Sequence, residues 1–421
     1  MNNYKFDITI IGGGASGIMA AISAMRNNMD LKVAIVEGSF SIGRKVLLSG
    51  AGRCNLTNSN LAKKDFINHY DSDNTSYVEN ILKAFNYEQI VKFFKDLGID
   101  VFEETAKNQG KIYPINESAK NVISILAEEL NRLGVEIFLN TECTDISKID
   151  GNFMVDILED GRRQIIQSTK VILTTGGMSY PSIGSYGKGY DIAKKFGHKI
   201  VNCIPVAVPL LSKDEICRES IGTKVKSIMS TFINNIEVEN ITDDLLFTNY
   251  GVSGSGILRL SRRIAKEFEH NKNIKVSIGI NFLPGLMKED FIARLSVHES
   301  ERLWIILLGL LPSKLVEYLL KETQISKEKY IKDLSEVERK KIIDALYDKI
   351  IRIWGTKGWN EAEFTSGGLT MNEIKSNSLE SIFEDGLYFA GEMLNVDGEI
   401  GGYNLSWAWA SGFVAGKECS N

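Results

Sequence analysis

The stretch that decides the fold is Phe6-Asp7-Ile8-Thr9-Ile10-Ile11-Gly12-Gly13-Gly14-Ala15-Ser16-Gly17. Its first half is a β-branched run, the pattern of a strand buried on both faces of a parallel sheet. Its second half contains G-x-G-x-x-G, and the small apolar residues from Ala15 to Met25 favour a helix directly behind it. Lys32-Val33-Ala34-Ile35-Val36 then reads as a second strand. Strand, glycine turn, helix and strand make a βαβ unit, the start of a doubly wound sheet.

Each part of that unit has a physical task. Gly12 makes the tight turn, Gly14 lets backbone approach a diphosphate, and Gly17 lets helix and strand pack closely. Ala15 and Ser16 begin the helix, where free N–H groups and the dipole favour an anion. Glu37 lies 20 residues past Gly17, just before Gly38, where a carboxylate accepts hydrogen bonds from a ribose hydroxyl. An acid at this place argues against a 2′-phosphate. The motif suits FAD and NAD equally.

Working outward, residues 38–58 are loop-like and rich in Gly, Ser and Asn. Helical patterns cover 78–97 and 119–133, and 135–139 reads as a strand. Short alternating runs at 153–157 and 164–167 suggest an antiparallel meander, and 171–173 returns to the apolar parallel type. Beyond His198 the pattern changes: short β-like runs with Gly-Ser turns, then mostly helical periodicity over 288–350. β character returns after Glu361, and a terminal helix is expected over 405–417. The expected organisation is a nucleotide-binding domain made from 1–199 and 356–421, with a β-rich insertion at 200–287 and a helical one at 288–355.

Length and composition agree with a multidomain globular chain: 421 residues, 43% hydrophobic and 24% charged. A net charge of −5 gives no electrostatic reason to expect nucleic acid. The cysteines (Cys54, Cys143, Cys203, Cys217, Cys419) are odd in number and form no CxxC pair, so no disulfide framework and no metal site is indicated. No charged leader and apolar stretch precedes the first strand, and the apolar run 304–311 is too short to span a bilayer. The expected location is the cytoplasm, away from membranes.

A second stretch separates FAD from NAD. Gly43-Arg44-Lys45-Val46-Leu47-Leu48-Ser49-Gly50-Ala51-Gly52-Arg53-Cys54-Asn55-Leu56-Thr57-Asn58 resembles the signature of the BaiN/YhiN-like flavoproteins, a family of NAD(P)/FAD-dependent oxidoreductases. Further matches are Thr175-Gly176-Gly177, Ser179-Tyr180-Pro181, Leu246-Phe247-Thr248, Gly367-Gly368, Gly391-Glu392, Val396-Asp397-Gly398 and Gly401-Gly402-Tyr403-Asn404-Leu405. The resemblance covers nearly the whole chain. It implies an α/β fold with a glutathione-reductase-like, Rossmann-type FAD-binding domain, interrupted by a β-barrel-like domain and a helical domain. It also implies reductive chemistry, which in the best-known members acts on bile-acid-like steroids. Lys188, Asn249, Ser255 and Ser406 depart from the family pattern, which bears on substrate identity.

The residues carry this reading physically. Ser49, Gly50, Gly52, Asn55 and Thr57 belong to a small-residue loop that brings backbone N–H groups close to flavin and ribityl oxygens. Lys45 and Arg53 are cations available to a diphosphate or a reduced flavin, or else surface charges, and the resemblance implies that Arg44 beside them belongs to the cofactor site. Gly176 lies in the Thr175-Gly176-Gly177 match, and the resemblance implies that it borders the cofactor. Gly391-Glu392 resembles a second fingerprint in which the acid binds the ribityl chain, and Asp397 is a ligand contact or a turn-forming acid. Gly402, Tyr403, Asn404 and Leu405 open a helix whose amides suit the flavin pyrimidine edge. Cys54 reads as a small packed residue beside the cofactor, since no second cysteine is near in sequence. Trp407, Trp409 and the four histidines read as structural.

The expected activity is FAD-dependent oxidoreduction: NADH or NADPH as electron donor, and hydride transfer through flavin N5 to a small-molecule acceptor such as an activated C=C bond. Tyr180, Tyr403 and Glu392 are candidate proton or orienting groups, and no catalytic residue is assigned. The alternatives are a flavin oxidase of an amine or ketone, and a flavoprotein of RNA modification.

Overall fold

A computed structural model describes residues 3–105, 109–159 and 161–421. Strand β1 (Asn3–Ile11) pairs in parallel with β2 (Val33–Val36), which pairs in parallel with β3 (Glu136–Phe138). Strands β4 (Thr141–Ile149) and β5 (Asn152–Glu159) form an antiparallel hairpin. The long strand β6 (Arg162–Leu173) serves two partners on one side: its first half pairs antiparallel with β5, its last three residues in parallel with β7 (Leu387–Phe389). Along its other side it pairs in parallel with β1. What reads in sequence as a meander run and a separate parallel run is therefore one continuous strand.

The core sits around this sheet. Ile8, Ile10, Ile11, Val33, Ile35, Val171 and Phe389 are buried, each side chain contributing on the order of 2 kcal/mol relative to exposure. Helix α1 (Ala15–Asn27) follows the glycine turn, and α2 (Ala119–Arg132) precedes β3. The C-terminal helix α3 (Tyr403–Cys419) lies against α1 at backbone distance. A Cβ on Gly412 would stand 2.3 Å from the Ser16 carbonyl oxygen, and one on Gly416 would stand 2.1 Å from that of Ala20. Only glycine permits that approach. The helical pattern over 78–97 forms two helices, Thr75–Ala84 and Tyr87–Asp96, because Asn86 starts the second with a capping box to Gln89.

These elements belong to one compact unit, made of the residues up to Cys203 and Phe364–Asn421. The other unit is Ile204–Glu363. Its seven-stranded sheet includes the long hairpin Lys224–Ile233 and Ile236–Thr248. Helices such as Ser313–Thr323 and Glu336–Tyr347 share one hydrophobic cluster with that sheet, joining Phe247 and Ile278 to Leu315 and Ile342. The stretch expected to be helical also supplies a sheet strand, Lys349–Ile353. Among the described residues, no helix is long and apolar enough to cross a membrane.

Candidate functional site

The carboxyl ends of β1 and β6 lie side by side, where the strand order reverses direction, the place at which such sheets bind ligands. Gly12 turns there with φ +107°, and the Thr174 hydroxyl donates to the Gly12 and Ile11 carbonyl oxygens at 2.7 and 2.9 Å. The three fingerprint glycines differ in their surroundings. A Cβ on Gly12 would meet the Thr174 carbonyl oxygen at 2.5 Å, and one on Gly17 the Gly12 carbonyl oxygen at 2.0 Å. Among the described residues, one on Gly14 would meet nothing within 4 Å. Two glycines are needed by the protein's own packing, and the third faces open space.

Helix α1 starts just behind that open face. No side chain caps it and its first turn carries no acid. The N–H groups of Ala15, Ser16 and Gly17 have no acceptor within their own helix. Glu37 stands opposite, accepting from the Gly13 N–H at 2.7 Å and from the Ser39 N–H and hydroxyl at 2.8 and 2.6 Å. Gly38 beside it is exposed. An open, positively polarised helix end next to an anchored carboxylate fits a diphosphate and a ribose.

The second stretch folds around this turn. Arg44 and Lys45 begin the short helix Arg44–Leu48. Lys45 Nζ donates to Ser179 Oγ at 2.5 Å and to the two Glu392 carboxylate oxygens at 2.8 and 2.6 Å. Glu392 also accepts from Ser179 Oγ at 3.0 Å and from the Thr365 N–H at 2.8 Å. Gly176 adjoins this cluster, its Cβ position 3.9 Å from Glu392 Oε2, and Gly391 packs against Ser16 at the start of α1. The residues quoted from 45, 176, 179 and 391–392 thus form one constellation at the sheet's carboxyl edge.

The cations divide. Arg44 lies over the Phe40 ring at 4.8 Å. Arg53 donates to Glu104 at 2.9 Å and Glu117 at 3.1 Å and covers the Tyr113 ring at 4.1 Å. The hydrogen bond to Glu104 leads the effects that raise its pKa. Its charge is balanced by protein carboxylates, so the geometry gives no support to a diphosphate role for Arg53. The loop Ser49–Gly52 carries left-handed backbone at Gly50, Ala51 and Gly52, and Cys54 follows with φ +66°. Cys54 is fully buried, and that burial pushes its thiol up to about 12.

Residues 55–58 are sewn to the start of α3. Thr57 Oγ1 and Ser406 Oγ lie 2.8 Å apart, Asn58 Nδ2 donates to the Gly401 carbonyl at 2.8 Å, and Trp409 Nε1 donates to the Leu56 carbonyl at 3.0 Å. Trp407 Nε1 donates to the Gly391 carbonyl at 3.1 Å. The two tryptophans, read in sequence as core, are buried and also tether the two motif loops. Among the described residues no donor reaches the enclosed Asn55 Oδ1, which would stand 3.0 Å from a Cβ on Gly402. Leu405 lies half-buried in the first turn of α3. Asp397 is buried and accepts from Ser366 Oγ at 2.6 Å, while Asn404 holds the Gly398 backbone through its Oδ1 and Nδ2. Tyr403 is buried, its hydroxyl accepting from Asn60 Nδ2 at 3.0 Å. His69 stacks on the Tyr403 ring at 4.5 Å and bonds Glu399 at 2.9 Å. Sequence reasoning missed that neighbour, because 330 residues separate His69 from Glu399 and no local pattern links them.

Comparison with known proteins gives the family and the fold. The family model described as HI0933-like protein Rossmann domain matches residues 6–418. The chain is 33% identical over 414 residues to the 3-dehydro-bile acid delta(4,6)-reductase of Clostridium scindens, covering 97% of this chain and 98% of that protein. It is 30% identical over 422 residues to the ribosomal RNA dihydrouridine synthase of Haemophilus influenzae, covering 100% of each. Among solved structures, the 3-ketosteroid delta1-dehydrogenase of Sterolibacterium denitrificans aligns over 99% of both chains with a TM-score of 0.54 at 12% identity. A quinol-fumarate reductase covers 100% of this chain and 71% of its own, with a TM-score of 0.54 at 16% identity. At those identities the structural likeness is one of fold.

Proposed function

We propose, for a chain that belongs to the HI0933-like Rossmann family, the reduction of a C=C bond conjugated to a carbonyl, with electrons drawn from NADH or NADPH. The chain is an FAD-dependent oxidoreductase. The observation that carries the site is the open Gly14 face at the uncapped start of α1, beside Glu37. In this reading the amides of Ala15, Ser16 and Gly17 hold the diphosphate and Glu37 holds the adenosine ribose. Glu392, fixed by Lys45 and Ser179, orients the ribityl chain, and the first amides of α3 face the pyrimidine edge. When bound, FAD supplies hydride exchange at its N5 atom. The protein's own task is to orient the acceptor, exclude water and deliver a proton.

The choice of acceptor draws on the relatives. One is named for reduction of delta(4,6) bonds in a 3-dehydro bile acid, the other for making dihydrouridine. Both names describe saturation of a C=C bond conjugated to a carbonyl, so the chemistry is common and only the recognised molecule differs. A steroid-like 4,6-dien-3-one is the first acceptor to test. The protein is expected to purify yellow, to bleach with NADH under nitrogen, and to recover its colour when the dienone is added. Bleaching without recovery would reject this acceptor.

The 30% identical relative favours a second reading, in which uridine in RNA is the acceptor. The net charge of −5 weighs against it, since RNA binding draws most of its affinity from cations on phosphates. A gel shift with ribosomal RNA that weakens steeply with salt would make RNA the better substrate.

A further inference from the structure

Asn55 is only 7% exposed, yet among the described residues its Oδ1 meets no donor. The other enclosed side-chain atoms in that position are hydroxyls and a ring nitrogen of His198. A hydroxyl can serve as donor or acceptor, whereas an amide oxygen only accepts. What Asn55 lacks is therefore an N–H or O–H. A buried acceptor left without one is costly, which calls for a donor from outside the chain.

That oxygen lies at the head of α3, a helix of 17 residues. A Cβ on Gly402 (φ +101°) would stand 2.4 Å from the Thr57 carbonyl oxygen and 3.0 Å from Asn55 Oδ1. Only glycine lets residues 55–57 come so close to the helix start. No side chain caps α3, and its first turn carries no acid. The polar side chains around it are spent on one another. Asn404 holds the Gly398 backbone, Ser406 Oγ donates to the Gly402 carbonyl at 2.8 Å, and Thr57 Oγ1 lies against Ser406 Oγ. One enclosed acceptor thus adjoins a helix start whose first N–H groups have no acceptor within the helix. The same helix grips the loop that carries Glu392: Trp407 Nε1 donates to the Gly391 carbonyl, and Ser411 Oγ accepts from the Gly391 N–H at 2.9 Å.

We propose that Asn55 Oδ1 recognises the flavin ring by accepting from its N3–H, while amides at the head of α3 donate to the adjoining ring carbonyl. This inference rests on the proposed placement of FAD and gives that placement its recognition chemistry. The pyrimidine edge of a flavin presents carbonyl, N–H and carbonyl in sequence. An acceptor set beside helix amides is complementary to two neighbouring members of that series. Asn55 is then a positioning residue, which fixes the ring in its plane and gains its missing donor only when the cofactor is in place.

The test follows the N3–H proton of FAD isotopically labelled at N3, bound to wild type, Asn55→Ala and Asn55→Asp. In wild type this proton is expected to exchange slowly with solvent. The alanine variant is expected to lose that protection and to hold FAD ~3–10-fold more weakly, the scale of one net hydrogen bond. The aspartate variant keeps an acceptor and is expected to restore slow exchange. Protection unchanged in the alanine variant overturns the proposal, since water would then serve Oδ1. So does an N3–H that exchanges in wild type as freely as in unbound FAD, a result that stands even if the alanine variant fails to fold. Uracil carries the same edge. Uridine monophosphate that raises the melting temperature of the wild-type holoprotein, but not of the Asn55→Ala holoprotein, would assign Asn55 to substrate and overturn the proposal as well. If wild type binds no FAD, the cofactor reading fails and this inference with it. If FAD binds and any overturning result is found, Asn55 alone is refuted.

Discussion

The Lys45 ammonium reaches both carboxylate oxygens of Glu392, at 2.8 and 2.6 Å, and so joins two loops 347 residues apart in the chain. Ser179 and the Thr365 N–H complete the cluster. Neither partner is fully enclosed: the side chains are 31% and 19% exposed. Removing one partner of such a pair costs more than at a surface ion pair and less than at a fully buried one, where a charge is left uncompensated.

Lys45→Ala is accordingly expected to lower unfolding free energy by about 1–2 kcal/mol, between those two limits. Glu392→Gln is expected to cost less, because the amide oxygen still accepts from Ser179 and Thr365. Urea midpoints for the singles and the double variant check this, with a coupling near 1 kcal/mol expected for directly bonded partners. Additive losses would show that the pair is not a unit.

Gly14 and Gly17 are expected to respond in opposite ways. Gly14→Ala, with nothing within 4 Å of the new Cβ, leaves melting nearly unchanged. Gly14→Glu puts a negative charge where phosphates approach, so that protein folds but purifies colourless. Gly17→Ala forces a Cβ to 2.0 Å from a backbone oxygen, at a cost of roughly 1–3 kcal/mol. Flavin absorbance and a thermal melt on the same samples separate the two effects. A yellow Gly14→Glu protein would contradict the placement of the cofactor.

Cys54 is expected to be chemically silent. Burial pushes its thiol up to about 12, so almost no thiolate exists near neutral pH. Iodoacetamide at pH 8 leaves it unlabelled until denaturant is added, as peptide mass mapping would show. Cys54→Ser is expected to retain NADH-dependent flavin bleaching. Loss of bleaching with the flavin still bound would return Cys54 to the redox chemistry.

Stability is expected to fall on the acid side in two steps. His198 is buried, and that burial lowers its pKa from the ordinary 6.5 against the opposing pull of Glu373. The folded state therefore favours the neutral ring. Its contribution is complete above pH 6.5 and declines as pH falls toward the lowered folded value. Glu129 is shifted below its ordinary 4.5, chiefly by the Arg132 hydrogen bond, with Arg26 assisting and burial opposing. Its contribution persists above pH 4.5 and is lost as pH falls through its lowered value. Replacing His198 by Gln should flatten the first step of a stability-against-pH curve and leave the second.

The strand, the glycine turn, α1 and Glu37 were legible from sequence because their signals are local. Branched side chains, a missing Cβ and a carboxylate at fixed spacing act within about 30 residues, the span of one βαβ unit. The two-partner role of β6 was not legible, because pairing depends on which strands arrive beside it. Nor was the commitment of Arg53 to Glu104 and Glu117, or of Lys45 to Glu392, since a charge in sequence carries no record of its partner. The indole tethers from Trp407 and Trp409 are likewise products of tertiary packing: long-range contacts impose them.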